Sequence, residues 1–210
     1  MSKIIFFDFD GTIVDCQKFQ ISRLKNVFNH FGIDTSDIDF LTLIGPPLYN
    51  TFAKYMGKAK AHEVLDYYNA SFDPQKINNI FLFDGIKQML VDLNKQGHKV
   101  CLTSLQFESV VFAELDYLGI KNCFAKVYCD DVKKAYKTKI DLVADVIKTQ
   151  KYNKHDIVLV GDTDNDVFAG TANKLFTVAV SWGYGNVDNA KVDAVVKTPQ
   201  ELFEIIENIN

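Results

Sequence analysis

Two acidic clusters carry the residues that could do chemistry, and each follows an apolar run. In FFDFDGTIVD, residues 6–15, Asp8 and Asp10 are spaced two apart and lead into Gly11 and Thr12. In VLVGDTDNDVFAG, residues 158–170, Asp162, Asp164 and Asp166 follow the same kind of run. Residues i and i+2 of an extended segment point the same way, so Asp8 and Asp10 can face one site. Two close carboxylates at the end of an apolar strand repel unless a cation or a shared proton intervenes. The pattern points to a metal site, an acid–base pair, or both. A solvated DG turn accounts for the first cluster alone equally well. An acidic N-cap accounts for one residue of the second. Neither accounts for three acids there together with a matching cluster on another strand. Oxygen donors without His or Cys favour Mg²⁺.

Strands must carry these acids to a common edge. Residues 3–8, 99–103, 125–129, 157–161 and 176–181 read as strands, with a short final one at 193–196. They are nearly continuously apolar, as expected for strands covered on both faces. Helical spacing fills the gaps: Ile86, Leu90 and Leu93 before Gly97, then Ile140, Val143, Val146 and Ile147, then Leu202, Ile205 and Ile206. This alternation predicts an α/β fold with a doubly wound, Rossmann-like parallel sheet. Ligands of such sheets bind beyond the carboxyl ends of the strands, where Asp8 and Asp10 sit. Residues 16–83 break the alternation. Leu24, Val27, Phe28 and Phe31 share one helical face, as do Tyr49, Phe52, Ala53 and Met56, and Val64, Leu65 and Tyr68 suggest a third helix. The expected organisation is a core of 1–15 and 84–210 with an inserted α-helical cap domain at 16–83.

The bulk properties narrow the partners. A chain of 210 residues that is 48% hydrophobic and 24% charged is globular rather than disordered. The net charge is -4 and the basic residues are scattered, which argues against nucleic acid. No apolar run approaches the ~20 residues of a membrane span, and the apolar start is too short for a signal peptide. Cys16, Cys101, Cys123 and Cys129 show no CxxC spacing and read as reduced packing thiols, so a cytoplasmic protein is expected. His30, His62, His98 and His155 show no pairing pattern and read as surface residues. Arg23 is the sole arginine. Its guanidinium would suit a carboxylate or second phosphate on a substrate.

DFDGTIVD resembles the first motif, DxDGTxxD, of the haloacid dehalogenase (HAD) superfamily, and VGDTDNDVFAG resembles its fourth, GDxxxD. Between them, KVCLTS ends a strand in Thr103, similar to the second motif. YKTKIDLVADVI carries a lysine at a helix start, similar to the third. Lys139 is preferred to Lys137 because the apolar residues after it fit helix spacing better. LIGPPLYNTF, with its GPP at 45–47, FDGIKQMLVDL and WGYG are similar to the phosphoglycolate-phosphatase-like group, which has a helical cap.

The resemblance implies a Mg²⁺-dependent phosphatase acting on a small phosphorylated metabolite, phosphoglycolate-like, through an aspartyl-phosphate on Asp8. Asp10 would protonate the leaving oxygen and then deprotonate water. Asp8, the Asp10 backbone carbonyl and Asp162 would hold Mg²⁺, with Asp166 orienting the metal's surroundings. Thr103 would donate to a phosphoryl oxygen, with Ser104 as a contender, and Lys139 would neutralise the phosphate. Gly11 and Thr12 would shape the loop against the substrate, and the cap would close as a lid. Dehalogenase relatives generally lack the second aspartate, so Asp10 favours a phosphatase. A phosphomutase of the same superfamily and a non-enzymatic phospho-receiver switch are the alternatives. A monomer or homodimer is expected.

Overall fold

Strand β1 (Ile4–Phe7) lies at the centre of the sheet that positions the acids. The structure, a computed structural model, describes residues 2–44, 48–130, 136, 138–187 and 191–209. Residues 45–47 and Lys137, singled out in the sequence, lie outside the described residues. After β1 come β2 (Val14–Asp15), α1 (Gln17–His30), α2 (Leu48–Met56), α3 (Lys58–Ala70), β3 (Phe81–Leu82) and α4 (Ile86–Lys95). Then follow β4 (Lys99–Phe107), α5 (Glu108–Leu118), β5 (Lys126–Asp130), α6 (Lys139–Gln150), β6 (Ile157–Gly161) and α7 (Asp164–Asn173). The chain continues through β7 (Phe176–Val180), β8 (Ala194–Val196) and α8 (Pro199–Asn208). It divides into two compact units, 1–15 with 81–210, and 16–80.

In the first unit, six strands of the described residues form one parallel sheet in the order β5-β4-β1-β6-β7-β8. Phe7 is in register with Leu102 on one side and Val160 on the other. The chain adds β4 and β5 on one side of β1 and then returns to the other with β6. The carboxyl ends of β1 and β6 therefore flank the point where strand order reverses, the usual ligand position in such sheets. Phe6, Cys101 and Leu159 on one face pack with Leu142, Val143 and Val146 of α6 and Ala169 of α7. Ile5 and Phe7 alternate to the opposite face and are also fully buried, which requires a second helical layer. Helices α4 and α8 pack on each other and against β4 and β8 respectively. Cover on both sides is why the strands read as unbroken apolar runs.

The structure departs from the sequence reading in three places. A short antiparallel ribbon pairs Val14 of β2 with Leu82 of β3; two-residue strands are too short to show an alternating pattern. Strand β4 runs on past Thr103 to Phe107. His98 is buried rather than on the surface. Its Nδ1 accepts from the Lys3 N–H at 3.0 Å, so the ring proton sits on Nε2 and donates to Glu207 Oε1 at 2.6 Å.

The second unit contains α1, α2 and α3 around Phe28, Phe52, Val64 and Tyr68. The Phe28 ring meets Phe40 and Tyr55 edge-on at 5.6 Å and 5.2 Å. Arg23 belongs to this packing: it donates to the Tyr68 carbonyl at 3.0 Å and its guanidinium lies 3.9 Å from the Tyr68 ring centre. The substrate role expected for Arg23 is corrected accordingly, because its Nη2 and its flat face are engaged inside the helical unit. The four cysteines are free thiols. Among the described residues, no helix is long and apolar enough to cross a membrane.

His98 lies at the amino end of β4, so its loss should affect stability rather than chemistry. His98→Ala strands the buried Lys3 N–H and should lower unfolding free energy by about 1–3 kcal/mol. A urea titration should show a lower midpoint with an unchanged slope.

Candidate active site

The loop after β1 begins with Asp8, whose N–H donates to the Val160 carbonyl of β6 at 2.8 Å. This continues the sheet pairing by one residue and sets Asp8 beside the end of β6. The chain then turns at Gly11, whose φ of +84° disfavours any side chain. A Cβ at Gly11 would also strike the Asp162 carboxylate. Gly183 is closed off by the Asp162 side chain and Gly185 by the Asp162 carbonyl, while Gly161 faces the Asp166 carboxylate. Four glycines thus form a cradle in which two aspartates lie against bare backbone.

Asp162 is fully buried. Its Oδ1 accepts from Thr12 Oγ1 at 3.1 Å and its Oδ2 from the Tyr184 N–H at 2.7 Å. Burial, with the Asp166 charge adding to it, pushes the Asp162 carboxyl up to about 6 despite these bonds. Asp166 lies in the first turn of α7. Its Oδ2 accepts from Thr163 N and Oγ1 at 3.1 Å and 2.9 Å, capping the helix. Its other oxygen faces Lys139 at 2.5 Å. One carboxylate thus both caps a helix and serves the cluster, so the two readings of this acid are compatible.

Lys139 is the first residue of α6, whose N-cap Thr138 accepts from the Asp141 N–H at 3.2 Å. A cation at a helix amino terminus opposes the helix dipole, and Lys139 is buried there as well. It is held by direct ion pairs with Asp8 and Asp166. Those two charges and their hydrogen bonds raise the ammonium's pKa, outweighing desolvation, so it stays charged. The Asp8 carboxyl is pushed well up by burial and by Asp166, Asp162 and Asp10, against the pull of Lys139.

The donor set fits a divalent cation. Carboxylate oxygens of Asp8, Asp162 and Asp166 all lie within 4.8 Å of one another. Three carboxylates face one ammonium, and burial raises the cost of that imbalance. Hard oxygen donors without nitrogen or sulfur suit Mg²⁺ or a similar ion. The Asp162 oxygens bonded to Thr12 and Tyr184 each keep lone-pair capacity for coordination, and Asp166 keeps it on the oxygen that Thr163 does not bond.

The structure brings Asp8, Asp162, Asp166 and Lys139 together as the sequence suggested. Thr103 is fully buried on β4 and donates to the Phe7 carbonyl at 3.3 Å. Gly11 packs on Asp162. One expectation needs correction. Thr12 is fully buried and its hydroxyl is committed to Asp162, so it orients an acid rather than a substrate. Ser104 is buried and its Oγ accepts from the Gln106 N–H at 3.1 Å, a bond that fixes a turn of the chain and does not use the hydroxyl proton.

Sequence reasoning gave no role to three groups here. Gln106 Nε2 donates to Asp10 Oδ2 at 2.6 Å. Trp182 Nε1 donates to the Thr12 carbonyl at 3.0 Å. Tyr184 bonds Asp162 through its backbone and Asp15 Oδ1 through its hydroxyl at 3.1 Å. The available signal was WGYG itself, aromatics between glycines directly after a strand.

With this geometry established, likeness to known proteins becomes informative. Residues 5–180 match the model of the haloacid dehalogenase-like hydrolase family. The chain belongs to that family. It is 28% identical over 187 residues to a tyrosine-protein kinase, PtkA, of Mycobacterium tuberculosis, covering 89% of this chain. The chain spans 64% of the length of that relative. It is 24% identical to the pyrophosphatase PpaX of Bacillus mycoides, covering 98% of this chain and 97% of the relative. A predicted phosphatase from Clostridium acetobutylicum has the same fold, with a TM-score of 0.89 at 23% identity over 99% of both chains.

The raised Asp162 carboxyl has a consequence for stability. Its folded pKa of about 6 lies above the ordinary value, so the protonated form is favoured by folding. That contribution is complete below about pH 4 and is lost as pH rises through about 6. Asp162→Asn should therefore stabilise the metal-free protein at pH 7.5, by on the order of 1–3 kcal/mol. The gain should vanish near pH 4. Thermal melts in chelator at both pH values check this.

Proposed function

We propose that this protein is a hydrolase that cleaves small phosphomonoesters by phosphoryl transfer to Asp8 and then to water, with Mg²⁺ as cofactor. The observation that carries the reading is the cluster of Asp8, Asp162 and Asp166 carboxylates beyond the ends of β1 and β6, with Lys139 paired to Asp8 and Asp166. Relatives named pyrophosphatase and 5'-nucleotidase act, by those names, on phosphate-containing substrates, which supports the same class of bond here. Phosphoglycolate and compounds of its size are the substrates to test first.

Asp8 is the nucleophile. Its Oδ attacks phosphorus while Lys139 offsets charge on Asp8 and on the phosphoryl oxygens. Asp10, two residues on, gives a proton to the leaving oxygen and then takes one from the attacking water. Asp8, Asp162 and Asp166 would hold Mg²⁺, together with the Asp10 carbonyl expected from the sequence. Bound there, the ion would neutralise the meeting of an anionic nucleophile with an anionic phosphate. Thr12, Thr163 and the Tyr184 amide fix the orientation of Asp162 and Asp166. Thr103 would donate to a phosphoryl oxygen only by turning its one hydroxyl proton away from the Phe7 carbonyl.

Phosphate release from a panel of small phosphomonoesters tests the reading. Release should require Mg²⁺ and stop in chelator. Asp8→Asn should fall below about a thousandth of wild-type kcat, and Lys139→Ala should lose about 10²–10³-fold. Appreciable turnover by Asp8→Asn would remove Asp8 as the nucleophile. The likeness to a tyrosine-protein kinase adds one arm, in which tyrosine-containing peptides are offered as acceptors. A phosphoryl group that persists on Asp8 against water would instead favour a mutase or a receiver.

A further inference from the structure

Asp10 must hold a proton in one half-reaction and accept one in the other, so its neighbour has to tolerate both states. One such neighbour is Gln106, whose Nε2 donates to Asp10 Oδ2 at 2.6 Å. An irregularity in β4 aims it there. The pairing of β4 with β5 shifts register between Ser104 and Phe107, and the Gln106 N–H is tied back to the buried Ser104 hydroxyl at 3.1 Å. Such bulges beside active sites turn a side chain out of the strand's regular alternation.

We infer that Gln106 is a positioning residue for Asp10, holding its carboxyl in place through both half-reactions. The inference rests on the phosphomonoesterase reading above. A lysine or arginine here would stabilise the anion and oppose the acid form, and a carboxylate would oppose the anion. A primary amide is neutral and carries both donor and acceptor. Its Nε2–H bonds the carboxylate, and a half-turn presents Oε1 to the carboxyl proton. In the first half-reaction an Asp8 oxygen bonds phosphorus, the ester P–O bond breaks, and the Asp10 proton passes to the leaving oxygen. In the second, water oxygen bonds phosphorus, the Asp8–phosphorus bond breaks, and a water proton returns to Asp10. Ester and water become alcohol and phosphate; Gln106 exchanges no atom.

Gln106→Met keeps the side chain's length and removes the amide. Single-turnover rates of wild type and variant, with excess enzyme and Mg²⁺, are compared on an alkyl phosphate and on 2,4-dinitrophenyl phosphate. The second leaving group departs without a proton. The variant should lose about 10- to 100-fold on the alkyl ester. It should release dinitrophenolate within about twofold of wild type, which also shows that the variant is folded. Its steady-state turnover should fall on both esters, because dephosphorylation needs Asp10 as base. Equal single-turnover losses on the two esters, or no loss on either, would overturn the positioning role. Failure of the underlying reading is distinct: wild type would release neither product, or Asp8→Asn would match it.

Discussion

Repulsion among Asp8, Asp162 and Asp166, set against the single charge of Lys139, is the constraint to which the surrounding structure responds. In water such a cluster would spread apart. Here Asp8 is bound into the sheet through Val160, and Asp162 follows directly from the end of β6. The register between β1 and β6 therefore decides how close the charges stand. Because parallel strands buried on both faces cannot slide without exposing apolar side chains, the sheet holds the carboxylates where electrostatics alone would not.

Backbone and side-chain donors share the same task. Asp162 receives bonds from Thr12 and the Tyr184 amide, and Asp166 from Thr163. The glycines at 11, 161 and 183 leave room for two buried carboxylates that a methyl group at any of these positions would displace, and Gly185 leaves room for the Asp162 carbonyl. Lys139 illustrates the exchange between local and tertiary preference. A helix start is a poor place for a buried ammonium, but Asp8 and Asp166 reverse the local balance. Each group satisfies a local structural need and also fixes the geometry of the site.

Much of the fold was legible because burial on two faces leaves a strong trace. The runs that became β1 and β6 are uninterrupted apolar segments, β7 is broken only by Thr177, and the helical spacings around α4 and α6 follow from one-sided packing. Elements of two residues leave no such trace, so the ribbon of β2 and β3 went unseen. The acidic positions were legible because three carboxylates beside an apolar strand have few bland explanations. Thr12 and Arg23 were misread for a common reason. A hydroxyl or a guanidinium names a capacity to bond, while the partner is chosen by the packing, which gave Thr12 to Asp162 and Arg23 to Tyr68. His98 looked like a surface residue because Lys3 and Glu207 are remote from it in the chain.

By itself, then, the sequence determined the alternation of strand and helix, the family motifs, and the identity of Asp8, Asp162, Asp166 and Lys139 as chemical groups. These are properties of residue type and short spacing, which local sterics and periodic burial express directly. The tertiary structure decided which groups meet. It set Gln106 against Asp10 through a shift in strand register, and it brought the 182–185 loop onto the turn after β1. Contacts of that kind join residues more than ninety positions apart, and only the packing of the whole sheet specifies them.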